Sequence, residues 1–307
     1  IKQGEAKMVL TFFFFSFFTV AMGMVAKTAR DAYFLSRFDK SILPLMFFAV
    51  AVVIAPILTY YTKLSTKLAP RVLFMMTCAI FMGSFILVQP LITGFVIPVV
   101  YIWVEIVVGI SLIRFWTFAG DSFEPQQAKR LFSIIAGGGS FAVMIIGMNL
   151  KPFVSVFGTD ELLFLAAGFM GLAAFFGLTS MQYFKKEPAK KGSSKQTKKG
   201  AKKKKQKRDP FLVGIGTIIA LSAVVTTLID YQFKMIASTA FPTEAELVSF
   251  FGTFYSIAGA ASIIMQFFIT GPILSRFGIL IGLLALPFFL IAGSASLLIA
   301  PVLMSAS

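Results

Sequence analysis

MVLTFFFFSFFTVAMGMVAK, residues 8–27, carries no charge until its last position. Roughly 20 mostly apolar residues are what a helix needs to cross the hydrocarbon core of a bilayer. Outward from this stretch, comparable runs recur at 43–61, 72–91, 96–118, 131–150, 162–184, 211–231, 248–270 and 279–300. Lipid admits only helices or closed barrels, because every backbone polar group has to be satisfied internally. Barrel strands would read as short alternating segments. These runs are long and continuously apolar, in a chain that is 58% hydrophobic with a mean hydropathy of +0.88. The sequence therefore predicts an all-α polytopic membrane protein with about nine transmembrane helices.

The formal charge of +15 is unevenly spread, with 13 of the 28 basic residues between Lys185 and Arg208. This stretch has no apolar periodicity and almost no acid, so residues 185–210 are expected to form a solvated linker. The excess of positive charge assigns it to the cytoplasm, and contact with anionic lipid headgroups is an expected by-product. A nucleic-acid partner is not expected, because no aromatic residue interleaves with the lysines for base stacking.

Cys78 is the only cysteine, and histidine is absent. Those two facts remove intrachain disulfides and zinc sites of the Cys/His type, along with Ser-His-Asp and Cys-His catalysis. No GxxxxGKS or GxxxxGKT loop is present for soluble nucleotide hydrolysis. An enzyme is not expected, and nothing in the sequence calls for a metal or other cofactor. Residues 8–27 are too long for the apolar core of a secretory signal and lack a small-x-small cleavage site. Because the chain starts at Ile1 and stops at Ser307, just after the ninth run, it reads as a fragment of a longer protein.

With 185–210 in the cytoplasm, alternation places 62–71, 119–130, 271–278 and the N-terminus on the same side, with Lys63, Lys67, Arg71, Lys129, Arg130, Arg276, Lys2 and Lys7. The opposite connections at 92–95 and 151–161 hold a single basic residue, Lys151. The first outer connection departs from this rule, gathering Lys27, Arg30, Arg37 and Lys40. Positive charge set against the topology rule implies another task.

Six spans, a polar linker and at least three further spans suggest a repeat of six. Ser16, Thr19, Gly23, Lys27 and Arg30 fall on one face of the first span, and Gly216, Ala220, Ala223, Thr227, Asp230 and Lys234 do the same in the seventh. Their spacing in threes and fours is what a helix of 3.6 residues per turn requires. A shift of 200 superposes Ser16 on Gly216, Gly23 on Ala223 and Arg30 on Asp230. Leu64-Ser65 with Lys67 is echoed by Leu274-Ser275 with Arg276, and Gly271-Pro-Ile-Leu-Ser-Arg-Phe-Gly278 keeps part of the turn motif of the major facilitator superfamily. Parallel six-helix repeats of this kind resemble that superfamily. The resemblance implies two bundles, residues 1–184 and a truncated 211–307, joined by the linker 185–210, with twelve helices in the whole protein.

A charge in hydrocarbon costs about 2.5–3.5 kcal/mol on insertion scales, so each one needs a partner or a wet cavity. Lys27, Arg30, Asp31, Glu105, Arg114, Asp230 and Lys234 lie in or at the ends of spans. Glu105 is the deepest and shares a face with Tyr101, Gly109, Leu112 and Trp116, while Arg114 points the opposite way and is expected to snorkel to the cytoplasmic surface. For Arg30 and Asp230 two readings stand together: a gate salt bridge joining the halves, and contact with substrate in a central cavity. Lys27, Arg30, Glu105, Asp230 and Lys234 form the candidate substrate-binding set. Their slight positive excess suits an anionic solute, and the guanidinium of Arg30 suits phosphate or carboxylate. The run Ala136-Gly-Gly-Gly-Ser140 reads as a close helix contact rather than a phosphate cradle. The phenylalanines from Phe12 to Phe15 face either lipid or core.

Phe115-Trp116-Thr-Phe-Ala-Gly-Asp121, followed by Gln127-Ala-Lys-Arg-Leu-Phe132 and the glycine cluster, resembles the non-mitochondrial ATP/ADP translocase family of plastids and intracellular bacteria. Arg30-Asp-Ala-Tyr-Phe-Leu-Ser36 is similar to its Lys-Asp-Thr-Leu-Val-Val-Thr element, and Asp230-Tyr-Gln-Phe-Lys234 to its Glu-Val-Thr-Trp-Lys element; Phe250-Phe-Gly-Thr-Phe254 follows. The resemblance implies ATP/ADP exchange by alternating access across a bacterial inner membrane. It assigns Arg30, Glu105, Asp230 and Lys234 to the nucleotide. Arg at 30 and Asp at 230 keep the family's charge sign but change reach and donor geometry. The alternatives are an ion-coupled carrier of another organic anion, in which Glu105 or Asp230 carries a proton, and a membrane sensor or scaffold that kept the fold without transport.

Overall fold

The computed structural model of the chain describes residues 5–92, 94–184 and 210–269. Among them are eight α-helices and no strand: α1 Ala6–Arg37, α2 Leu43–Ser65, α3 Pro70–Val88, α4 Val96–Ser122, α5 Pro125–Phe157, α6 Leu162–Ser180, α7 Pro210–Ala240 and α8 Glu244–Ile264. Three short 3-10 turns, Lys40–Ile42, Gln89–Leu91 and Met181–Tyr183, and a π turn, Met265–Ile269, extend or join them. Seven segments are long and apolar enough to cross a membrane: Ala6–Arg37, Lys40–Ser65, Pro70–Leu91, Val96–Ser122, Arg130–Phe157, Leu162–Tyr183 and Glu244–Phe268. The ninth run at 279–300, the turn Gly271–Gly278 and the linker up to Asp209 lie outside the described residues.

Local chemistry sets where these helices start and stop. Pro44, Pro70 and Pro125 sit in the first turns of α2, α3 and α5, where a missing N–H costs nothing and a fixed φ is already helical. Thr243 and Glu246 form a reciprocal cap on α8: the backbone N–H of Glu246 donates to Thr243 Oγ1, and that of Thr243 to Glu246 Oε2, both at 3.3 Å. α5 stops at Gly158, whose φ of +86° is a conformation that side chains resist.

The described residues fall into two compact units, one drawn from 1–184 and 233–276, the other from 185–232. In the first unit α1 is the central element, packed against α4, α5, α6 and α8. The phenylalanine run divides by face. Phe12 and Phe15 are buried and meet Phe123 and Phe115 edge-on, with centroids 5.1 and 5.2 Å apart, while Phe14 stacks on Phe176 nearer the surface. Close approach of helices rests on glycine. A Cβ at Gly138 would collide with the Phe13 carbonyl oxygen of α1, and one at Gly252 would come within 2.9 Å of the Gly147 carbonyl oxygen. The cluster at 137–139 is thus a helix contact, as the sequence reading anticipates.

One element departs from expectation. The first span does not end near Lys27; α1 runs unbroken for 32 residues, roughly 48 Å at 1.5 Å per residue. Lys27, Arg30 and Arg37 therefore lie on the helix rather than in an outer loop. Each has a carboxylate partner: Glu105 of α4 for Lys27 and Arg30, Asp31 of α1 for Arg30 as well, and Glu244 of α8 for Arg37.

Candidate functional site

The continuation of α1 past Lys27 carries its charges into a gap faced by α4 and by the end of α7. Glu105 of α4 accepts from two cations, Lys27 Nζ to Oε1 at 2.8 Å and Arg30 Nη1 to Oε2 at 2.6 Å. Arg30 Nε in turn donates to Asp31 Oδ1 at 3.1 Å, and Lys234 Nζ lies 3.1 Å from Asp31 Oδ2. The result is a ladder of alternating sign: Lys27, Glu105, Arg30, Asp31, Lys234. Three positive and two negative groups leave one positive charge in excess.

Tyr101, one turn before Glu105 on α4, serves as the floor. Its carbonyl oxygen accepts from Arg30 Nη1 at 3.2 Å, its ring centre lies 4.1 Å from the guanidinium carbon, and its hydroxyl lies 3.5 Å from Lys234 Nζ. Phe47 of α2 presents its ring 5.3 Å from the same ammonium. Aromatic faces attract cations without neutralising them, so the ladder keeps its positive excess. Exposure is graded along it: the side chains of Arg30, Asp31 and Lys234 are at most 5% exposed, against 25% for Glu105 and 37% for Lys27.

Four of the five residues singled out from sequence, Lys27, Arg30, Glu105 and Lys234, meet in this ladder. Asp230 lies one turn before Lys234 on α7, within the second unit. The sequence reading assigned no role to Asp31 and Tyr101. Their available signals were an acid directly beside Arg30, and a tyrosine on the Glu105 face of α4. Arg114 is a correction. It does not snorkel to the surface but is 6% exposed, with Nε donating to the Tyr61 hydroxyl at 2.6 Å and the guanidinium 4.8 Å from that ring's centre.

A second polar cluster joins the end of α1 to the start of α8. Arg37 pairs with Glu244 through Nε and, at 3.0 Å, through Nη2. Ser36 and Thr159 donate their hydroxyls to the same carboxylate, each at 3.0 Å. Lys40 Nζ donates to the Ser238 carbonyl oxygen of α7 at 2.7 Å. Here α1, α7, α8 and the connection after α5 are clasped at one end of the unit.

Chemically, the ladder can exchange partners. Lys and Arg donors now on carboxylates can transfer to phosphate oxygens, for which Arg has the matching fork and Lys a point charge. Breaking a buried pair without such a replacement is costly. Among the described residues no group of His, Cys, Asp and Glu side chains is placed to hold a metal ion.

Residues 91–304 match the family described as TLC ATP/ADP transporter. The ADP,ATP carrier protein 1 of Chlamydia muridarum (strain MoPn / Nigg) is 25% identical over 204 residues, 60% of this chain and 38% of the relative. Its namesake in Chlamydia pneumoniae is 22% identical over 202 residues, 57% and 38% respectively. That of Chlamydia trachomatis serovar D is 24% identical over 204 residues, again 60% and 38%. The aligned part thus spans less than two fifths of the length of these relatives. No solved structure matches the chain.

Proposed function

Since the chain belongs to the TLC ATP/ADP transporter family, we infer that it is a membrane carrier exchanging ATP against ADP by alternating access. The observation that carries this reading is the five-membered charge ladder, which joins α1, α4 and α7 with a net positive excess and grades from buried at Lys234 to open at Lys27. In this reading Arg30 and Lys234 bind phosphates and Lys27 assists them. Glu105 and Asp31 hold those cations while the site is empty, and Asp230 tunes the cavity. Substrate favours the occluded state because it supplies to the cations what the carboxylates supply without it.

We read the whole as a twelve-helix protein of the major facilitator type, nine of its helices in this chain. Residues 1–184 form the first six-helix bundle, 185–210 a cytoplasmic linker, and 211–307 part of the second bundle. The lengths of α1 and α7, 32 and 31 residues, support the repeat. The N-terminus and the linker face the cytoplasm of a bacterial inner membrane, where the lysine run meets anionic headgroups.

The test is uptake of labelled ATP into proteoliposomes carrying the full-length protein, with and without internal ADP, beside Arg30→Ala. Uptake that requires internal ADP and is lost in the variant is expected. Uptake driven instead by a pH gradient, with ADP irrelevant, would assign the protein to ion-coupled anion carriage. Absence of uptake by inserted, folded protein would favour a sensor.

A further inference from the structure

The charge ladder accounts for one end of an anionic solute; a cavity along the same helices accounts for the other. Between α1, α4, α5 and α8 lies a space of about 310 Å³ whose wall includes Ser16, Val20, Leu112, Trp116, Ser140 and Ser262. That volume sits at the small end for ligand pockets, sufficient for a heteroaromatic base with part of its sugar. Val20 stands seven residues from Lys27 on α1, and Leu112 seven from Glu105 on α4. Seven residues are nearly two full turns, so each pair shares a helix face about 10 Å apart. The charges and the cavity therefore occupy successive levels of the same two faces, separated as phosphates and base are in an extended nucleotide.

The lining has the required chemistry. Trp116 meets Phe115 edge-on at 5.0 Å and Phe132 at a tilt at 5.8 Å, yet 43% of the residue stays exposed. The indole is fixed in place with much of its surface uncovered. Serines line it from three helices: Ser16 of α1, Ser140 of α5, whose hydroxyl donates to Gln266 Oε1 at 3.2 Å, and Ser262 of α8. A largely apolar wall with a few placed hydroxyls is the usual composition of a small-molecule site.

Resting on the nucleotide reading above, we propose that this cavity is the base subsite. The planar ring of a nucleoside di- or triphosphate stacks on Trp116, the serine hydroxyls bond its polar edge, and its phosphates extend to Lys27, Arg30 and Lys234. Specificity then divides along the helices, with charge read at one level and base at the other.

The full-length protein in proteoliposomes tests this by labelled ATP uptake, competed with unlabelled ATP and with inorganic triphosphate, which has phosphates and no base. Trp116→Ala is expected to weaken competition by ATP at least about fivefold, the scale of a lost aromatic stack, and to leave competition by triphosphate unchanged. Trp116→Phe should recover part of the loss, and it also guards against a fold defect in the alanine variant. Ser140→Ala should alter the ratio of ATP to GTP competition. If these variants keep the wild-type ratio of ATP to triphosphate competition, the cavity holds something else, such as an acyl chain, and the proposal fails while nucleotide transport stands. If the wild type responds to neither ATP nor triphosphate, the nucleotide reading falls and the subsite with it.

Discussion

Asp31 is shared by Arg30 and Lys234, one carboxylate in contact with two buried cations at 3.1 Å each. Asp31→Asn keeps the shape and removes the charge that Arg30 and Lys234 share, while Arg30 retains Glu105. Removing one member of a buried ion pair costs about 3–5 kcal/mol, so the variant should melt well below the wild type in detergent and lose exchange. An unchanged melting temperature would mean that Asp31 is not their anchor. Such pairing was only half legible in the sequence. The charges could be seen in apolar runs, and the insertion cost required partners. The partner of Lys234, however, lies 203 positions away, and local spacing says nothing about contacts across that distance. Arg114 shows the same limit: the helical wheel correctly set it opposite Glu105, yet could not foresee that Tyr61 would stand across from it and retain it in the interior.

Helices were legible because lipid leaves so few alternatives. All eight described helices correspond to runs read from the sequence, and what shifted was their ends. α1 overran its expected limit because charges after Lys27 resembled a membrane boundary, while in the fold they find carboxylates and stay within the helix. Contacts between elements depend on residues too small to signal themselves. Gly138 admits the backbone of α1, and Gly147 admits that of α8, where an added Cβ would meet Ser256 N at 2.9 Å. A methyl group at either position strikes main chain, which cannot rotate aside. Gly138→Ala and Gly147→Ala should each cost about 1–3 kcal/mol, the usual penalty for overpacking, measured by denaturant or thermal unfolding. Gly168→Ala, where nothing lies within 4 Å of the added carbon, should be neutral and serves as the control.

The clasp of Arg37 on Glu244 ties together parts of the chain 207 residues apart. The strength of this tie can be measured. Arg37→Ala and Glu244→Ala should each destabilise the protein, and the double variant should be less destabilised than the sum of the two by about 1 kcal/mol, the scale of a partly exposed pair. Strict additivity would show the clasp to be incidental. The clasp was not legible beforehand, because Arg37 read as a loop cation and Glu244 preceded the expected start of its span. Cys78, the sole thiol, is 7% exposed on α3. Within these 307 residues sulfhydryl reagents therefore meet a single, buried native site. Spin labels or dyes attached through Asp39→Cys and Ala245→Cys, exposed positions on either flank of the clasp, would report its distance distribution.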